Sequence, residues 1–102
     1  MQFVLAVNPQ SGKKRSAETF NKVKSVFDSA GIGLSVIETK YPGHTRELAA
    51  NMNLDLYSGF LVLGGDGTFH ELVNGMFDRP DGRKIPLGII PGGSGNSFVR
   101  DL

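Results

Sequence analysis

One carboxylate sits among glycines where an apolar run gives way to a helical pattern: Leu61-Val62-Leu63-Gly64-Gly65-Asp66-Gly67-Thr68-Phe69-His70-Glu71. Strand, glycine turn and helix start together form a device that receives phosphate groups in many α/β proteins. Gly65 and Gly67 let a ligand approach the backbone, and the helix start offers N–H groups with no intrahelical partner. Beside phosphates a carboxylate is unfavourable unless it holds a cation or accepts a proton. Asp66 could therefore bind Mg²⁺, directly or through water, or act as general base on an attacking hydroxyl. A turn aspartate bonding its own backbone explains the same residue without function. Thr68 and Glu71 have capping-box spacing, which would account for both by helix initiation alone. Thr68 could still present its hydroxyl and N–H to a ligand.

Three other turns carry similar potential. Asn8-Pro9-Gln10-Ser11-Gly12-Lys13-Lys14-Arg15 follows the first apolar run. It is not a Walker A loop, since Val7 and Lys14 stand where that loop needs glycine and Ser or Thr. Ser11 and Gly12 can turn backbone N–H groups toward a phosphate, whereas the lysines are equally well read as a solvated helix start. Thr39-Lys40-Tyr41-Pro42-Gly43-His44 follows the second run, and Pro91-Gly92-Gly93-Ser94-Gly95-Asn96 the fourth. The dinucleotide fingerprint fails at both glycine-rich turns, because His70 and Phe98 occupy its third glycine position. His44 and His70 have no partner at metal-ligand spacing, and a surface or packing role suits His70 better than catalysis.

These turns need elements to position them. Phe3 to Val7 reads as a buried strand. Ser16 then opens a helix as N-cap, with Ala17, Phe20, Val23, Phe27 and Ala30 inward and Gly31 at its end. Leu34 to Glu38 is a second strand and Thr45 to about Met52 a second helix. Phe60 to Leu63 is a third strand. Phe69, Leu72, Val73, Met76 and Phe77 line one face of a third helix. Pro80-Asp81-Gly82 is a turn, Pro86 to Ile90 a fourth strand, and Ser97 to Leu102 the start of a fourth helix. This β-α-β-α-β-α-β order predicts an α/β fold, a parallel sheet with right-handed crossovers and helices on both faces. In such a sheet the four turns share one edge and converge on a crevice.

Composition narrows the function classes. The chain has 102 residues, enough for one domain, and a formal net charge of +1. That balance gives no electrostatic footprint for nucleic acid. It has 0 cysteines, so disulfides, thiolate chemistry and cysteine-ligated zinc are out of reach for these residues. No apolar run approaches the roughly 20 residues of a membrane-spanning helix, and the start lacks signal-peptide features, so a cytoplasmic location is expected. Asp101-Leu102 cuts across a helix start, which suggests a piece of a larger domain.

Taken together, Asn8-Pro9-Gln10-Ser11-Gly12, Thr39 with Gly43-His44, Gly64-Gly65-Asp66-Gly67-Thr68 and Pro91-Gly92-Gly93-Ser94-Gly95-Asn96 resemble the N-terminal catalytic domain of the diacylglycerol kinase and sphingosine kinase family of lipid kinases. The resemblance spans nearly the whole chain. The central motif alone is also similar to that of NAD kinases and phosphofructokinases; the other loops favour the lipid kinases. The resemblance implies ATP-dependent, Mg²⁺-assisted transfer of the γ-phosphoryl group to a lipid hydroxyl, such as that of diacylglycerol or sphingosine. It places Asn8, Gln10, Ser11, Gly12, Thr39, Gly43, Gly65, Gly67, Thr68, Glu71, Gly93, Ser94 and Gly95 around the nucleotide, and Asp66 at the catalytic position. It also implies a following β-rich lobe that meets the lipid at a membrane surface, without which residues 1–102 are expected to be a nearly inactive half-enzyme. An NAD kinase-like phosphotransferase and a non-catalytic nucleotide-binding module are the competing readings.

Overall fold

The computed structural model describes residues 1–8 and 13–91. Their elements run β1 (Gln2–Val7), α1 (Lys13–Ser29), β2 (Gly33–Glu38), α2 (His44–Asn51), β3 (Gly59–Gly64), α3 (Asp66–Asp78) and β4 (Leu87–Pro91). The strands form one parallel sheet in the order β2-β1-β3-β4. The expected α/β architecture is therefore present. The expected fourth helix lies outside the described residues.

Side-chain alternation along each strand divides the core into two layers. Leu5, Leu61, Leu63 and Ile90 face α1, where they pack with Val23 and Phe27. Val4, Ala6, Phe60 and Val62 point the other way and pack with Ala49 of α2 and Leu72 and Met76 of α3. Chain direction explains this distribution. The step from β1 to β2 runs opposite to the steps from β2 to β3 and from β3 to β4, so right-handed crossovers send α1 to one face and α2 and α3 to the other. All six residues of β3 are buried, as its place between β1 and β4 under both helical layers requires. β2 lies at the edge, and its Val36 is 41% exposed.

Two helices differ from expectation. α1 begins at Lys13, so Ser16 lies inside the helix and is not its N-cap. Lysine and arginine are good helix formers, and the basic stretch continues into the helix instead of ending a loop. α3 begins at Asp66, with Gly65 as N-cap and no side-chain capping bond. Thr68 is thus the third helical residue, and the Thr68–Glu71 capping box does not form. Phe77 also leaves the inward stripe. It is 71% exposed and lies 5.5 Å from the Lys84 ammonium.

α2 and α3 meet with almost no gap. A Cβ at Gly75 would lie 2.3 Å from the Arg46 carbonyl oxygen and 2.8 Å from the Ala49 Cβ. Arg79, 8% exposed, fastens the same pair. Its Nη1 donates to the Ala49 carbonyl at 2.9 Å, and its Nε and Nη2 donate to the two Asp81 carboxylate oxygens at 3.0 and 2.7 Å. The planar fork satisfies a helix-end carbonyl and a carboxylate together, which an ammonium cannot do in this geometry.

Candidate functional site

Register brings the strand ends level. Val7 pairs with Glu38 on one side and Leu63 on the other, and Leu63 pairs with Ile90. The segments beginning at Asn8, Thr39 and Gly65 therefore leave the sheet from the one edge at which β4 also ends. The order of connection reverses between β1 and β3, and their carboxyl ends flank the switch point at which open α/β sheets take ligands.

A cleft of about 480 Å³ opens at this edge, lined by Asn8, Thr39, Lys40, Tyr41, Pro42, Thr45, Thr68 and Glu71. Its volume falls in the range of small-molecule sites, about 300–1,000 Å³. Four sequence-predicted residues, Asn8, Thr39, Thr68 and Glu71, meet here from β1, the β2 loop and α3. Thr39 also closes the sheet edge: its N–H donates to the Val7 carbonyl at 2.8 Å, and its hydroxyl lies 3.4 Å from the same oxygen. Thr68 and Glu71 stand three residues apart on α3, which places them on one helix face. The spacing that suggested a capping box thus aims both side chains into the cleft.

The remaining predicted residues fall into three groups. Gln10, Ser11, Gly12, Gly93, Ser94 and Gly95 lie outside the described residues, as does Asn96. Gly43 has φ 89° as N-cap of α2, so its glycine is required by the left-handed turn. Gly65, Asp66 and Gly67 form the exposed start of α3 and do not line the cleft themselves. Asp66 is the first helical residue, where a carboxylate also complements the helix dipole. Gly65 has an ordinary extended backbone, φ −101°, and neither it nor Gly67 has positive φ. A Cβ at either would meet nothing within 4 Å.

Sequence reasoning missed Lys40, Tyr41, Pro42 and Thr45 as cleft residues. Thr45 is 2% exposed and reads as helix start, while Tyr41 reads as a loop residue. For Lys40, Tyr41 and Pro42 the available signal was their position between two predicted contacts, Thr39 and Gly43. Tyr41 stacks on His44, with ring centroids 4.5 Å apart and planes at 15°. Its hydroxyl donates to a Glu47 carboxylate oxygen, which holds the phenol above its ordinary pKa. Lys40 N–H donates to His44 Nδ1 at 2.9 Å. His70 is exposed and lies 3.1 Å from the Asn74 amide, in keeping with a surface role. Among the described residues no set of three or more His, Cys, Asp or Glu is grouped to hold a metal. None of their helices is long and apolar enough to cross a membrane.

A parallel sheet with helices on both faces and a cleft across its switch point is the architecture of an α/β ligand-binding domain. The chain belongs to the diacylglycerol kinase catalytic domain family, whose model matches residues 2–102. It is 39% identical over 105 residues to sphingosine kinase 2 of Arabidopsis thaliana, covering 99% of this chain and 22% of that protein. It is 42% identical over 103 residues to sphingoid long-chain bases kinase 1 of the same plant, covering 96% of this chain and 14% of that protein. A crystal structure of a diacylglycerol kinase from Bacillus anthracis str. Sterne superposes with TM-score 0.65 at 30% identity, covering 97% of this chain and 35% of that one. The chain thus spans about a fifth or less of those curated relatives.

Proposed function

We propose that this chain is the nucleotide-binding portion of a lipid kinase that transfers the γ-phosphoryl group of ATP to a lipid hydroxyl. One observation carries the reading. The cleft at the switch point ends against a helix start whose two glycines serve neither a left-handed turn nor tight packing. Space beside exposed helix-start N–H groups is what a phosphate chain needs. In this reading the N–H groups of Asp66, Gly67 and Thr68 meet phosphate oxygens. Asn8, Thr39, Thr68 and Glu71 line the rest of the nucleotide.

Asp66 suits either of two tasks. Magnesium commonly takes one or two carboxylates together with phosphate oxygens and water, so a single exposed aspartate beside the phosphate position fits it without a protein cage. When bound, the ion neutralises triphosphate charge. Asp66 can alternatively accept the proton of the lipid hydroxyl. The lipid would approach through a further, β-rich part of the complete protein at a membrane surface. The higher identity to proteins named as sphingosine and sphingoid base kinases makes a sphingoid base the first substrate to test, ahead of diacylglycerol.

The test is calorimetric titration of the chain with MgATP, paired with phosphorylation assays of the complete protein on sphingosine, diacylglycerol, ceramide and NAD. Saturable ATP binding, with Asp66→Asn retaining binding while phosphoryl transfer by the complete protein is lost, is the expected pattern. Phosphorylation of NAD alone, or full lipid kinase activity in the Asp66→Asn variant, would overturn it.

A further inference from the structure

The cleft has two unlike ends. At one, the start of α3 offers backbone N–H groups and open space. At the other, the loop after β2 offers Lys40, Tyr41 and Pro42. The strand order sets these ends two strand spacings apart, roughly 10 Å. A nucleotide with its phosphates at the α3 end extends its base toward the β2 loop. Tyr41 there is 49% exposed, a large aromatic surface left accessible at the cleft wall.

A loop residue makes a poor binding wall unless something fixes it. Tyr41 is fixed from three directions. His44 stacks against its ring. Glu47, one turn into α2, accepts its hydroxyl. The Tyr41 carbonyl accepts the His44 N–H at 3.1 Å, while His44 Nδ1 accepts the Lys40 N–H at 2.9 Å. Neither the sheet nor α2 needs the Tyr41–Glu47 bond, because both partners are exposed at the surface. What the bond does is hold an aromatic plane at the cleft wall.

We propose that Glu47 and His44 are positioning residues that hold the Tyr41 ring as the base-side wall of the cleft, where it packs against the heteroaromatic ring of a purine nucleotide. This rests on the nucleotide reading above. Tyr41 contacts the base; Glu47 and His44 act through Tyr41. The clamp recognises the base and leaves the phosphates to the α3 end.

The experiment titrates ATP and inorganic tripolyphosphate, each with magnesium, into the full chain and its variants, with far-UV circular dichroism verifying the fold. Tyr41→Ala is expected to weaken ATP by about tenfold, the scale of one lost base–aromatic stack. Tripolyphosphate affinity should stay within about twofold, since the phosphate end is untouched. Tyr41→Phe and Glu47→Ala should each weaken ATP by about threefold, because the ring remains but its tether is lost. Glu47→Gln should recover wild-type ATP affinity, since the amide oxygen still accepts the Tyr41 hydroxyl. Unchanged ATP affinity in Tyr41→Ala, or a parallel loss of ATP and tripolyphosphate, would overturn the clamp and leave the nucleotide reading standing. A wild-type chain that binds neither ligand would overturn both.

Discussion

Replacing Gly75 by alanine sets two effects against each other, and the structure says which wins. In an open helix interior the change would stabilise by about 1 kcal/mol through helix propensity. Here the new Cβ would lie 2.3 Å from the Arg46 carbonyl oxygen, 2.9 Å from Arg46 Cα and 2.8 Å from Ala49 Cβ. Two of those atoms are backbone, so no flexible side-chain end can swing aside. Relief requires α2 to move by about 1 Å, against the Arg79 bond that fastens its last turn to the segment after α3. Overpacking of this kind costs about 1–3 kcal/mol, and rigid neighbours argue for the upper end. Set against the propensity gain, the net loss is about 2 kcal/mol, or roughly 10 °C in melting temperature for a domain of this size. Thermal and urea melts of the two chains, followed by circular dichroism, measure it. Because α2 carries Thr45 and Glu47, the same shift should also weaken ATP binding. A Gly75→Ala chain melting at or above wild type would refute the claim that this glycine is set by the α2–α3 approach.

Three further outcomes follow from the same geometry. Arg79→Leu leaves the Ala49 carbonyl without its donor and should lower stability by about 1–3 kcal/mol in urea melts, with Arg79→Lys recovering less than half because it lacks the fork. Asp81 is held down to about 2 by the Arg79 hydrogen bonds, aided by the Arg83 backbone N–H. Because its folded-state pKa lies below the unfolded value, its contribution is present above about pH 4 and is lost as pH falls toward about 2. Acid titration of the stability gap between wild type and Asp81→Asn should show that gap closing over this window. Tyr41 works in the opposite sense: its raised phenol favours the neutral form, so the contribution is full below about pH 10 and lost above it. Alkaline absorbance titration should place one phenol lower in Glu47→Ala than in wild type.

The strands were legible because apolar runs bounded by turn residues have few alternatives, and β3, buried on both faces, is the plainest of them. The crevice was legible for a related reason: strand alternation with helices forces parallel pairing, and parallel pairing puts every turn after a strand on one edge. Helix starts were harder. Ser16 and Thr68 have the chemistry of N-caps, yet each lies inside a helix that begins earlier. Local capping preferences are worth about 1 kcal/mol and yield to the geometry of the preceding strand. Phe77 shows the limit of periodicity. It continues the apolar stripe of α3, but at the last turn the stripe has run past the core. In the site, Asn8, Thr39, Thr68 and Glu71 were placed by the resemblance of their turns to the lipid kinase family. Thr45 was not, because only the packing of α2 brings it to the cleft wall, and Tyr41 was passed over inside a turn that was itself expected at the crevice.

Glycines that share a symbol are here for different reasons, and separating them sharpens the case for Asp66. Gly43 answers to a left-handed turn, and Gly75 to a neighbouring backbone. Gly65 and Gly67 answer to neither. Alanine at Gly67 would meet open space and gain helix propensity, so folding alone favours the substitution by up to about 1 kcal/mol. If the turn served only to join β3 to α3, glycine there would be a disadvantage with no return. The disadvantage has a return when the missing side chains leave room for phosphate oxygens against the N–H groups of the first helical turn. Stability and ligand affinity should then move in opposite directions in Gly67→Ala. The melting temperature should rise while MgATP binding weakens by about tenfold or more. A simple βα turn would let the first rise without the second falling. Opposite movement of the two would support the proposed role of Asp66, flanked by both glycines at the start of α3, toward a cation or a proton at the phosphate chain.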